Sequence, residues 1–171
     1  MPLLHKGLIN ITVANTLRNF GGALVDVFVP LILLKNGLTL LNICFFYIIY
    51  AVAKLLINYP VMRITNKYGA KASLILSRVS YIGYLLCLVA IINGATGNII
   101  WFMALALAAT NALQWNAQHL HIARVINMAR KGKDIAIIDS VDMLASSLAP
   151  AISALLVLVL GASWPLYIAI L

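Results

Sequence analysis

The chain has 171 residues, of which 64% are hydrophobic and 9% charged, with twelve Lys and Arg against four Asp and Glu. Soluble domains carry about 25% charged residues, so a water-soluble fold is excluded: it could not hide this much apolar surface. The net charge of +8 does not point to nucleic acid, because the cations are sorted between apolar stretches and not gathered on one face.

Six apolar stretches are predicted, at 8–34, 40–62, 72–92, 99–121, 135–160 and 164–171. Five are long enough to cross a bilayer core, which needs about 20 residues, and the sixth is partial. Membrane-barrel strands would alternate apolar and polar residues, and these stretches do not, so the expected fold is an all-α, polytopic transmembrane bundle. Lys6 precedes the first stretch, Arg63, Lys67 and Lys71 follow the second, and Arg124, Arg130, Lys131 and Lys133 follow the fourth. The gap after the first holds only Lys35, and the gaps at 93–98 and 161–163 hold no cation. Positive charge stays on the cytoplasmic side, so the expected orientation is a cytoplasmic N-terminus in the plasma membrane, with basic loops that touch anionic lipid heads. Arg18 interrupts what would be a signal-peptide core, so the first stretch is read as a retained anchor. The chain ends eight residues into the sixth stretch, at Leu171, and is read as the front part of something larger.

Within the stretches, polar residues recur three or four positions apart and so share helical faces. The first offers Asn15, Arg18 or Asn19, Gly22, Asp26 and Pro30. The second offers Tyr47, Tyr50, Lys54 and Asn58; the fourth offers Asn111, Gln114 with Trp115, Gln118 and His121. The fifth offers Asp139, Asp142, Ser146, Pro150 and Ser153. Such faces point either at another helix, as hydrogen-bonding glue, or at a hydrated cavity. Asp26 lies roughly 12 Å from the outer end of its helix at about 1.5 Å per residue. A carboxylate at that depth suits proton coupling or substrate contact, with Lys54 or Arg18 as an alternative ion-pair partner. Arg18 and Arg78 are expected to pair structurally with Asp139 or Asp142. No metal or disulfide spacing is present: Cys44 and Cys87 lie in separate spans, and His119 and His121 do not share a helical face. No nucleophile stands with a base, so neither an enzyme nor a cofactor is expected.

Three segments resemble the N-terminal half of a major facilitator superfamily transporter. The basic segment Arg63-Ile64-Thr65-Asn66-Lys67-Tyr68-Gly69-Ala70-Lys71-Ala72-Ser73-Leu74 is similar to the family signature G-x-L-x-D-R-x-G-R-K-x-x-L, with Asn66 in place of the acid. Ala149-Pro150-Ala151-Ile152-Ser153-Ala154 is similar to the fifth-helix pattern G-P-x-x-G-G, with every Gly replaced by Ala or Ser. Leu17-Arg18-Asn19-Phe20-Gly21-Gly22 before Val29-Pro30-Leu31 is similar to the family's first helix. The resemblance implies secondary transport of a small solute by alternating access between two six-helix halves. Helices one, two, four and five would then face the cavity, and a C-terminal half or second chain would complete the carrier. It makes Asn66, Lys67, Gly69 and Lys71 an inner-gate segment whose charge latch is weakened at Asn66. The cavity wall would hold Asn111, Gln114, Trp115 and Gln118. The rival expectation is a non-transporting remnant or scaffold subunit.

Overall fold

The computed structural model describes residues 2–95, 97–125 and 131–160, and every regular element among them is an α-helix. In chain order these are α1 (Pro2–Asp26), α2 (Val29–Lys35), α3 (Leu40–Ile92), α4 (Ile99–Val125) and α5 (Lys131–Leu160). A helix pairs its backbone within one segment, so it is the form a long apolar stretch takes where water cannot help. The chain divides into two compact units, Met1–Val29 with Ile122–Leu171, and Pro30–His121.

The first expected span is interrupted. Pro30 has no N–H to give to the carbonyl four residues earlier, which belongs to Asp26. Accordingly α1 ends at Asp26, Phe28 N–H turns back to Val25 O at 2.9 Å, and α2 begins at Val29. The expectation of one uninterrupted helix over 8–34 is therefore corrected.

The second and third expected spans form the single 53-residue element α3. Thr39 caps its start by accepting the Asn42 N–H at 3.3 Å. Its middle turns on one residue, Gly69, at φ 86° and ψ 166°. That backbone conformation is open essentially to glycine alone. Thr65 and Ser73, eight residues apart, hydrogen-bond through their hydroxyls at 2.7 Å. In a straight helix eight residues rise about 12 Å, so the chain doubles back sharply at Gly69. We refer to 40–68 and 70–92 as the first and second arms. The basic segment expected as a loop between two helices is therefore helical on both sides of a one-residue joint. At the other end Gly94, at φ 89°, closes the second arm by donating to Ile91 O at 3.0 Å, while Ala95 N–H donates to Ala90 O at 2.9 Å.

In the unit Pro30–His121, α4 packs against both arms. Tyr50 and Asn58 of the first arm meet Asn111 and Asn116 of α4, so these two helices run parallel. Ser77 of the second arm donates to Thr110 O at 3.0 Å. Ala104, Ala108 and Ala112, four apart, are all buried, and their small side chains let the neighbouring backbones come close. Val61 packs with Ala112 and Leu113, with Ile57 beside them. In the other unit α1 lies on α5. Thr16 and Asn19 meet Asp142, and Ser153 donates to Leu24 O at 2.7 Å, so the contacts advance together and the helices are parallel. Ala149 and Ser153 are buried, consistent with small residues at this crossing.

Three helical stretches among the described residues are long and apolar enough to cross a membrane: Thr12–Lys35, Leu40–Ile92 and Asp134–Leu155. The sequence reading expected five and part of a sixth. The difference has physical reasons. The two arms of α3 join without a loop, and each exceeds the about 20 residues a crossing needs. The fourth expected span forms α4, but Asn111, Gln114, Asn116 and Gln118 reduce its apolar character. The sixth, 164–171, lies outside the described residues. Large apolar side chains face outward on several helices, among them Leu55 at 77% exposure and Leu158 at 81%. Gly69→Ala should cost about 1–3 kcal/mol, the scale of a non-glycine residue held in this conformation. The checking measurement is thermal unfolding in detergent, beside Gly83→Ala in the second arm, which should be near neutral or stabilising.

Candidate functional site

Each unit carries one polar seam between parallel helices. The first joins α1 to α5. Asp142 of α5 is half-buried; Thr16 Oγ1 donates to its Oδ1 at 2.6 Å and Asn19 Nδ2 donates to its Oδ2 at 3.0 Å. Asn19 in turn accepts from Arg18 Nη1 at 3.3 Å. The cation and the carboxylate expected to pair directly are thus linked through an amide, with a hydroxyl completing the set. Hydrogen bonds to an ionised acceptor are roughly twice as strong as neutral ones, and so tie α1 to α5 firmly.

Further along α1 the stripe continues through Gly22 to Asp26. Asp26 is exposed, and a Cβ placed at Gly22 would stand 3.9 Å from Asp26 Oδ2, so the carboxylate lies back over the glycine. It occupies the last position of α1, beside the carbonyl that Pro30 leaves without a helical donor. Asn15 begins the stripe; it is 8% exposed, and its Nδ2 has no hydrogen-bond partner among the described residues. Of the other α5 positions, Asp139 is exposed, Pro150 half-buried and Ser153 buried.

The second seam joins the first arm of α3 to α4. Asn111 Nδ2 donates to Tyr50 Oη at 3.1 Å. Asn116 Nδ2 donates to Asn58 Oδ1 at 2.8 Å and also reaches Ala112 O at 2.8 Å. Between them stands Lys54, half-buried, with Nζ 5.9 Å from the centre of the Tyr50 ring. Gln114 is 3% exposed, and its Oε1 lacks a hydrogen-bond partner among the described residues. Trp115 is exposed and stacks on His119 at 5.2 Å, and Gln118 is half-buried. Asp26 and Lys54, considered together from sequence, belong to different units.

At the joint of α3, Asn66, Lys67 and Lys71 are exposed around Gly69, and Arg78 is exposed on the second arm. Arg63 Nη2 donates to Tyr59 Oη at 2.5 Å, and Lys67 lies over the Tyr68 ring at 5.3 Å. Among the described residues no three His, Cys, Asp or Glu side chains converge.

Two members of these seams escaped the sequence reading. Thr16 lies three residues before Asn19, and that spacing was the available signal. Asn116 lies off the line through Asn111, Gln114 and Gln118, and only the position of Asn58 on the facing helix makes it a partner.

No protein-family pattern, curated protein or solved structure matches the chain.

The two seams should differ in strength. Asn19→Ala removes a bond to a carboxylate, for which about 1.5–3 kcal/mol is usual, whereas Asn116→Ala removes a neutral amide pair, worth about 0.6 kcal/mol on average between membrane helices. Unfolding of the two variants in mixed micelles should therefore show the larger loss for Asn19→Ala.

Proposed function

We propose that this chain is a multi-pass plasma-membrane protein, N-terminus inside, forming the first half of a secondary carrier similar to those of the major facilitator superfamily. The cargo is a small polar or amphipathic solute, moved by alternating access, with Asp26 exchanging a proton or contacting the solute. The observation that carries the reading is the amide-rich seam between the first arm of α3 and α4, set in otherwise apolar helices. Polar groups are costly at bilayer depth and are retained there for helix pairing or for transport. The open Oε1 of Gln114 favours transport, because a buried amide oxygen without a donor costs about 1–3 kcal/mol and invites a solute or water to supply one.

Topology gives independent support. Parallel α1 and α5 demand an odd number of crossings between them, and the two arms of α3 with α4 supply three. On this reading the chain would cross five times, although three stretches among the described residues are long and apolar enough by themselves. The break at Asp26–Pro30 also supports the reading, since carrier sites are commonly built where membrane helices are interrupted. A complete carrier needs a second half, in the same polypeptide or a partner chain.

A non-transporting scaffold is the second reading. The mutual satisfaction of Tyr50 with Asn111 and of Asn58 with Asn116 favours it, because such pairs also serve as static glue. Cysteine accessibility separates the two. With Cys44 and Cys87 replaced by Ser, Asn111→Cys and Gln118→Cys should react in membranes with a water-soluble thiol reagent, and Leu55→Cys and Leu56→Cys should not. If all four stay silent, the seam is dry and the scaffold reading takes its place.

A further inference from the structure

From Pro30 to His121 the chain carries six cations, Lys35, Lys54, Arg63, Lys67, Lys71 and Arg78, and no Asp or Glu. No acid of this unit can neutralise them. Three of the six, Arg63, Lys67 and Lys71, surround the joint at Gly69, Arg78 follows on the second arm, and all four are exposed. Two exposed tyrosines share this end: Tyr59 holds Arg63, whose guanidinium lies 4.8 Å from the ring centre, and Tyr68 lies under Lys67. Tyrosines with cations at one end of a helical hairpin are the side chains that settle at a membrane–water interface.

The second arm shows which way this charge faces. Ser73, Ser77, Tyr84, Leu88 and Ile91 are buried and lie along one side of the helix. Lys71 and Arg78 are seven residues apart, which puts them together on the opposite side. The rest of that stripe is exposed and apolar, with Ile75 at 58%, Ile82 at 53% and Leu86 at 63%. Arg78 therefore stands about 10 Å beyond Lys71 along the helix, on an outward face of branched aliphatic residues. An arginine so placed must reach toward water or bring an anion to itself. A guanidinium binds phosphate through two parallel hydrogen bonds, and a nearby ammonium adds charge without constraining geometry.

We propose that the outward face of the second arm binds an anionic phospholipid. Lys71 and Arg78 would hold its phosphate, Arg63 and Lys67 would supply the surrounding positive field, and Ile75, Ile82 and Leu86 would lie along its acyl chains. The combination of phosphate-binding cations with an exposed aliphatic stripe fits an amphipathic anion and not a free phosphate. Asn66 sits inside this cluster with a neutral amide, so no acid there competes with the lipid for the cations. The proposal rests on the membrane-embedded part of the functional reading and is independent of transport.

The test begins with flotation of the whole chain on vesicles of phosphatidylcholine, with and without phosphatidylglycerol. A chain that stays off both overturns the membrane reading and this proposal with it. Thermal unfolding in detergent then compares added phosphatidylglycerol, phosphatidylcholine and inorganic phosphate. The expected result is a rise of several degrees with phosphatidylglycerol alone. Lys71→Gln with Arg78→Gln should abolish most of that rise, Arg78→Lys should lose part of it, and Lys35→Gln should keep all of it. An equal rise with phosphatidylcholine or inorganic phosphate, or an undiminished rise in the double variant and in Arg78→Lys, would overturn the lipid site while leaving the carrier reading untouched.

Discussion

α1 and α5 lie side by side and run the same way, fastened at Asp142 by Thr16 and Asn19 and at Leu24 by Ser153. Two segments more than a hundred residues apart can be parallel neighbours across a bilayer only if the intervening chain crosses an odd number of times. The reversal at Gly69 makes that count possible, because it turns one continuous run of helix into two arms. Without it, α3 would be a rod of about 80 Å at 1.5 Å per residue, far longer than a hydrocarbon core of about 30 Å. The thirteen residues from Gly69 to Tyr81 contain one glycine in a left-handed conformation, and every later contact of the second arm with α4 depends on it.

The polar groups fall into two kinds with different physical consequences. Asp142 accepts from Thr16 and Asn19, and its link to Arg18 passes through the Asn19 amide, whose oxygen faces the guanidinium and whose nitrogen faces the carboxylate. Turning that amide over would set oxygen against oxygen and N–H against N–H, so the seam holds a single arrangement. The α3–α4 seam is made of neutral amides, a phenol and one ammonium. Tyr50 pairs with Asn111 and Asn58 with Asn116, while the buried Gln114 of α4 leaves its Oε1 without a donor among the described residues.

Much of this was legible in the sequence because apolar runs, cations and turn residues each act locally. The all-helical class follows from runs too long and too continuous for strands. The turn after Ile92 follows from Asn93-Gly94, which act within one helical turn, whereas the break after Asp26 was not foreseen although Pro30 carried its signal. The stripes also follow, because helical spacing alone places Tyr50 with Asn58, or Asn111 with Gln118, on a face. What could not be read was pairing between helices. Thr16 and Asn116 acquire their roles from a residue on another helix; the spacing of Thr16 to Asn19 hints at the first, and nothing local marks the second. The basic segment around Gly69 was expected as a loop between two spans. Lys and Arg are in fact good helix formers, and a single glycine suffices to turn the chain.

The central claim is that α3 crosses twice, with its two ends on one side of the bilayer and Gly69 on the other. Single cysteines at Asn36, Lys67 and Asn98, in a chain with Cys44→Ser and Cys87→Ser, report this directly in intact cells treated with an impermeant maleimide. The account predicts labelling of Asn36→Cys and Asn98→Cys from outside, and of Lys67→Cys only after the membrane is opened. Labelling of Lys67→Cys together with the other two in intact cells would contradict it.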